Sequence, residues 1–93
     1  MEALNLAQTY LKDEGAKLLA KCEYLTNLKR LDLSRCAIGD SGAEALAKSK
    51  YLTNLEELKL GYNDITTKGY KALVESKTLP TKVTKKFKRK AKG

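Results

Sequence analysis

The apolar residues of this chain keep two rhythms in alternation. In LKRLDLSRC (28–36), Leu31 and Leu33 alternate with Asp32 and Ser34, the two-residue period of a strand. In GDSGAEALAKS (39–49), Ala43, Leu46 and Ala47 recur three and four residues apart, the period of an amphipathic helix. Asp40-Ser41-Gly42 supplies a helix start, and Ser41 to Glu44 has capping-box spacing. The pattern predicts one short strand, a tight turn and one helix.

The same unit returns at a fixed distance. Residues 24–50 fall on 51–77 with 13 of 27 positions identical, and residues 4–23 fall on 31–50 with eight of 20 identical. The recurring positions are Leu28, Leu31, Leu33, Cys36, Ile38, Gly42 and Leu46 in the middle unit. They are Leu55, Leu58, Leu60, Asn63, Ile65, Gly69 and Leu73 in the last, and Met1, Leu4, Leu6, Thr9, Leu11, Gly15 and Leu19 in the first. One unit cannot bury its leucines alone, whereas stacked units share a continuous core with the strands paired in parallel. Strands stack about 4.8 Å apart and helices about 8–10 Å, so the stack should bend with its strands on the concave side. The Asn63 amide is placed to bond backbone groups of adjacent turns, a task that Cys36 and Thr9 perform more weakly. Gly42, Ala43 and Ala47 are small enough to let the helix lie close to its strand.

The pattern LxxLxLxx(N/C/T)x(I/L)xxxGxxxL resembles the leucine-rich repeat superfamily, in its ribonuclease-inhibitor-like class. It is carried by residues 28–46 and 55–73, with the first turn in residues 1–19. The resemblance implies an α/β fold: a right-handed leucine-rich-repeat solenoid of about two and a half to three turns (1–23, 24–50, 51–77) within residues 1–80. It also implies a non-catalytic protein–protein interaction scaffold whose outward strand positions contact another protein.

The ends depart from the pattern. Met1 already occupies a leucine position, so the first turn should expose Met1, Leu4 and Leu6. A fourth turn begins at Leu79, which matches Leu52, but Lys82 and Lys85 fall where leucines belong and only Phe87 fits, opposite Leu60. Pro80 ends the preceding helix. The expectation is a terminal piece of a longer repeat array, or a very short array, followed by a basic tail at 81–93.

Charge sharpens that division. The chain carries +8, but residues 1–80 hold 12 Lys and Arg against 11 acids, while residues 81–93 hold seven bases and no acid. Lys82, Lys85, Lys86, Lys88, Arg89, Lys90 and Lys92 are therefore candidate polyanion-binding residues for RNA, DNA or an anionic membrane surface. As a helix, the segment would align Val83, Phe87 and Ala91 beneath flanking lysines. The competing readings are a disordered, solubilising tail and a targeting signal that would send the chain to the nucleus. No apolar run approaches the roughly 20 residues a membrane span needs, and MEALNLAQTY has no basic start like a signal peptide's. The expected location is cytoplasmic.

Enzymatic chemistry finds little support. The chain has no histidine to serve as a base near neutral pH, and its repeat-spaced glycines form no phosphate cradle. Asp13, Glu14, Asp40 and Asp64 fall at turns and helix starts, where capping accounts for them. Cys22 and Cys36 lack metal-ligand spacing and read as two free buried thiols. No cofactor is expected.

The candidate partner surface is the set of outward strand columns: Ala3/Arg30/Glu57, Asn5/Asp32/Lys59, Ala7/Ser34/Gly61 and Gln8/Arg35/Tyr62. Arg30, Asp32, Arg35, Glu57, Lys59 and Tyr62 carry its chemistry. Arg35 and Tyr62 are the residue types that dominate interface energetics. The alternating charges, Arg30 beside Glu57 and Asp32 beside Lys59, also read as cross-strand pairs that stabilise the sheet with no ligand.

Overall fold

The computed structural model describes residues 1–92. Each unit forms a three-residue strand followed by a helix, as the change of period predicts. The strands are β1 (Ala3–Asn5), β2 (Arg30–Asp32) and β3 (Glu57–Lys59), and the helices α1 (Lys12–Ala20), α2 (Asp40–Ala47) and α3 (Thr67–Val74). The sheet is parallel, in the order β1-β2-β3. Its register places Ala3 beside Arg30 beside Glu57, and Asn5 beside Asp32 beside Lys59, so the repeat alignment and the strand register coincide.

The core lies between this sheet and the helices. Leu31, Leu33, Leu58 and Leu60 point inward from the strands, Ile38 and Leu46 close the middle unit, and Leu73 closes the last. Their equivalents in the first unit, Leu4, Leu6, Leu11 and Leu19, are only half-buried, and Met1 is 78% exposed. The expected exposure at this end is present, and it is graded: the second unit covers one flank of the first while the other flank stays open.

The bend after each strand is fixed by a polar ladder. Asn63 Oδ1 accepts from the backbone N–H of Cys36 (2.9 Å) and of Ile38 (3.0 Å), while Nδ2 donates to the carbonyl of Leu33 (2.9 Å) and of Leu60 (3.0 Å). One side chain thus satisfies backbone groups in two turns, which matters because an unmatched buried N–H costs about 1–3 kcal/mol. In the turn above, the Cys36 thiol donates to the carbonyl of Leu6 at 3.0 Å, and Thr9 Oγ1 donates to the same carbonyl at 2.7 Å. Asn63 and Cys36 thus bond backbone across turns as expected, whereas Thr9 bonds backbone only within its own turn and reaches the next through the Cys36 thiol, 3.8 Å away. Both cysteines are free, but only Cys36 is buried; Cys22 sits half-exposed beyond α1, a correction to the expectation of two buried thiols.

The helix starts differ from expectation. Helix α2 begins at Asp40 with Gly39 as N-cap, and Ser41 lies inside it, so the Ser41–Glu44 capping box does not form. The cap comes from the preceding unit. Asp13 Oδ1 accepts from Gly39 N–H (2.7 Å) and Gly42 N–H (2.9 Å). Asp40 repeats this one unit on, accepting from Thr66 N–H (2.7 Å), Gly69 N–H (3.1 Å) and Thr66 Oγ1–H (2.6 Å). The glycines are required for this approach: a Cβ on Gly42 would sit 2.6 Å from Asp13 Oδ1 and 2.7 Å from Ile38 Cγ2. Gly42 therefore makes room for the neighbouring unit's carboxylate as well as for its own strand side.

The largest correction concerns the C-terminal segment. Residues 81–91 are not a free tail. They form α4 (Thr81–Thr84), a 3-10 turn over Lys85–Phe87 and α5 (Lys88–Ala91). Val83, Thr84 and Phe87 are buried, and the rings of Phe87 and Tyr70 of α3 lie 5.7 Å apart. The physical reason is the open flank of the last unit: Leu79, Val83 and Phe87 join one buried apolar cluster with Leu58, Leu60 and Leu73. This spends the apolar stripe that a surface-lying membrane helix would need, so the membrane reading loses its anchor.

Candidate protein-binding surface

The face of the sheet opposite the helices carries the predicted columns. Arg30 and Lys59 are exposed, Asp32 and Glu57 are half-buried, and a shallow depression of about 140 Å³ lies among Ala3, Asn5, Arg30, Asp32, Glu57 and Lys59. Asp32 has a local duty as well. Its Oδ1 accepts from the backbone N–H of Ser34 at 3.0 Å. That bond, helped by the Ser34 side chain and the Lys59 charge against a smaller opposing effect of burial, holds its carboxyl below the usual aspartate range. Asn5 makes the same turn with the N–H of Ala7 at 2.9 Å. This column is thus partly explained by turn formation.

Just past the strands the chain turns through the left-handed region. Gln8, Arg35 and Tyr62 have φ of 64°, 56° and 58°. This conformation costs a non-glycine residue roughly 1–2 kcal/mol. The strand-to-strand bonds Gln8 N–H to Ser34 O (2.9 Å) and Arg35 N–H to Gly61 O (3.0 Å), with the Asn63 ladder, hold it in place. The turn throws the side chains outward. The Arg35 guanidinium carbon lies 4.3 Å from the centroid of the Tyr62 ring, and Tyr62 is 80% exposed. A cation over an exposed ring contributes about 0.5–1 kcal/mol, which favours the stacked posture a few-fold over its alternatives.

Sequence reasoning missed Tyr10 on the same row of loops. It too has positive φ, 54°, and is 74% exposed, with Lys12 Nζ 5.9 Å from its ring centroid. The signal was available: Tyr10 stands at a repeat position filled by Ala37 and Asp64, which faces away from the core.

The seven bases of the C-terminal segment do not share one surface. Lys86 and Lys90 face the sheet, where with Lys59, Ser34, Gly61 and Tyr70 they line a groove of about 330 Å³. Lys88 and Lys92 lie on the other side, beside Thr67, Lys71 and Val74 of α3. Lys82 borders a separate groove with Met1, Asn27 and Pro80. Lys85 and Arg89 are exposed.

Among the described residues no cluster of histidine, cysteine, aspartate or glutamate is arranged to hold a metal ion. No helix among them is long and apolar enough to cross a membrane. No curated protein matches the chain. A family model described as Leucine Rich repeat matches residues 24–47 and 51–74, just over half of the sequence. Those stretches hold the strands, turns and helices whose leucines, glycines and asparagine build this architecture, and the chain belongs to the leucine-rich repeat family.

Proposed function

We propose that this chain is a non-catalytic protein–protein interaction scaffold that receives its partner on the open sheet face, through Arg30, Asp32, Arg35, Glu57, Lys59 and Tyr62. The observation that carries the reading is the Arg35–Tyr62 stack, preformed and exposed at the strand ends. Preformed arginine and aromatic side chains are what binding surfaces use as anchors, since little rotamer entropy remains to be lost. The finer reading is a right-handed stack of the ribonuclease-inhibitor-like class, the hand that nearly all parallel strand–helix–strand crossovers adopt. The half-buried leucines of the first unit support its role as the terminal part of a longer array. Three strands offer only part of the roughly 800 Å² per partner of a standard interface, which further turns would supply. The cytoplasm, or the nucleus given the C-terminal bases, is the setting we assign.

The test uses a photo-reactive residue at Ser34, on the sheet face, and one at Lys17, on the helix side. Cross-links to a partner should form from position 34 and be lost in the Arg35→Glu, Tyr62→Ala double variant while it still melts cooperatively, within about 8 °C of the native chain. Cross-links from position 17 alone, or capture indifferent to the double variant, would overturn the assignment.

The second reading is polyanion binding through Lys82, Lys85, Lys86, Lys88, Arg89, Lys90 and Lys92. A specific observation keeps it in play: these bases are exposed on a folded support. Binding of RNA or DNA by counterion release would fall steeply between low and moderate salt. Salt-independent binding would exclude it.

A further inference from the structure

The groove between β3 and the C-terminal segment has a sign, unlike its neighbours on the sheet face and beside α3, which mix acids with bases. Its rim carries Lys59, Lys86 and Lys90, and no acidic residue lines it. The first base comes from the repeat and the other two from the terminal helices, so the site exists only because residues 81–91 fold back onto the last unit. Gly61 is part of its lining and leaves space there: a Cβ built on it meets no atom within 4 Å. The groove continues the sheet face, since Ser34 and Gly61 belong to one strand column.

We propose that this groove takes an acidic stretch of a partner polypeptide, with carboxylates on Lys59, Lys86 and Lys90 and an apolar side chain over Gly61. The proposal rests on the scaffold reading and names its partner's chemistry. Charge complementarity argues for an anion, and the state of the rings argues for a protein. Single-stranded nucleic acid draws about 1–3 kcal/mol per base from aromatic faces on which bases stack. Here Tyr70 and Phe87 are buried at 8% and 5% exposure. Their rings also already carry Lys90 Nζ at 5.3 Å and Lys86 Nζ at 5.5 Å from the centroids. A membrane would need an apolar stripe, which lies buried beneath the same helices. Carboxylates meet the ammonium groups as phosphates would, and an apolar side chain over Gly61 adds a contact that a sugar-phosphate backbone does not offer.

The probe is a fluorescein-labelled ten-residue peptide of glutamates around one central leucine. A glycine-centred twin, a twelve-nucleotide uridine RNA and vesicles containing phosphatidylserine serve as competitors in anisotropy measurements on the full chain. Reversing Lys59, Lys86 and Lys90 to glutamate should weaken peptide binding at least about tenfold, while reversing Lys82, Lys88 and Lys92 should weaken it less than about threefold. Gly61→Leu, which fills the groove without changing charge, should also cost about tenfold, and the glycine-centred peptide should bind more weakly. Absence of peptide binding, equal loss from both triple reversals, indifference to Gly61→Leu, or tighter binding of RNA or vesicles would each overturn the proposal. The scaffold reading has a separate readout. If Arg35→Glu, Tyr62→Ala abolishes cross-linking at Ser34 while the peptide fails to bind, the sheet face stands and the groove does not.

Discussion

Asp13 caps a helix that begins 27 residues after it, its Oδ1 accepting from the N–H of Gly39 and of Gly42. The bond couples two units through the place where each is weakest, since the first turn of a helix has amides with no partner of their own. Asp13→Ala should therefore loosen the contact between the first and second units. A lost cap costs about 1 kcal/mol, which for a chain of this size lowers the melting temperature by about 4–8 °C. Asp13→Asn, which keeps an acceptor oxygen, should recover most of it. Equal losses from the two variants would indicate that the negative charge, not the hydrogen bonds, provides the stabilisation.

Gly42 is the other half of the same relationship. In an open helix, glycine to alanine is stabilising by about 1 kcal/mol. Here the new methyl would meet Asp13 Oδ1 at 2.6 Å, Ile38 Cγ2 at 2.7 Å and the Cβ of Ala16 at 3.1 Å. Gly42→Ala should destabilise instead, by about 1–3 kcal/mol. Part of that loss should disappear in an Asp13→Ala background, because the crowding oxygen is gone. Urea melts of the two single variants and the double variant measure the coupling, and strictly additive losses would count against the clash.

The acid limb of stability should contain a contribution from Asp40. Hydrogen bonds from the Thr66 hydroxyl, then from the Thr66 backbone, outweigh burial, and with Gly69 and Lys68 they hold its carboxyl below the ordinary aspartate value of 3.8. The unfolded chain therefore takes up this proton first as pH falls, so the folded state loses stability from about the unfolded pKa down through the folded one. Above that window the contribution is complete. Asp40→Asn retains an oxygen for Thr66 N–H and Gly69 N–H but does not titrate. Its urea midpoint should be less steep between pH 5 and pH 3 than that of the native chain, on the order of the window these carboxylates define. Parallel profiles would mean that Asp32, whose carboxyl is also held low, or other acids dominate the limb.

Much of this architecture is legible in the residues themselves. The repeat aligns Arg30 with Glu57 and Asp32 with Lys59, and the sheet pairs those same residues, because a fixed repeat length leaves the strands only one register. Asn63 is legible for a similar reason: an amide both donates and accepts, which a bend between two strands needs. Helix capping is not legible at Ser41 because a capping box is a motif within one unit, whereas the acceptor, Asp13, arrives from the unit before. The fold of the C-terminal segment is hidden in the sequence because seven bases outweigh Val83 and Phe87 in any composition argument. Their spacing of four residues was visible, but its use depended on the bare flank of the last unit. The lysine groove has no sequence signature, since Lys59 and Lys86 meet only through that fold-back.

Asn63 should be the least replaceable polar residue of the bends. Asn63→Ala leaves the N–H groups of Cys36 and Ile38 and the carbonyl of Leu33 without their partners, for a loss of about 3 kcal/mol. Asn63→Asp is the more informative change. It keeps the acceptor for the two N–H groups but sets a negative charge against the carbonyls of Leu33 and Leu60. That carboxyl should be easier to protonate in the fold than in the unfolded chain, so the variant should gain stability as pH falls toward 4, opposite to Asp40. A stability difference between Asn63→Asp and the native chain that is constant from pH 7 to pH 4 would show that the ladder tolerates the charge.

The C-terminal helices make the last prediction, because they serve as a lid on the core and as a basic surface at once. Phe87 is 5% exposed and its ring lies 5.7 Å from that of Tyr70. Truncating a buried phenylalanine to alanine costs about 3–5 kcal/mol, a large share of what a chain this short has to lose. Phe87→Ala should therefore lower the melting temperature steeply and raise hydrogen exchange, relative to the native chain, more at the amides of β3 than at those of β1. Reversing Lys85 and Arg89, which are exposed on the same segment, should change stability by less than about 0.5 kcal/mol. If Phe87→Ala melts with the native chain, the segment is an ornament on the array and not its closing element. If the charge reversals are as costly as the truncation, electrostatic attraction to the body holds the lid, and the apolar contacts are secondary.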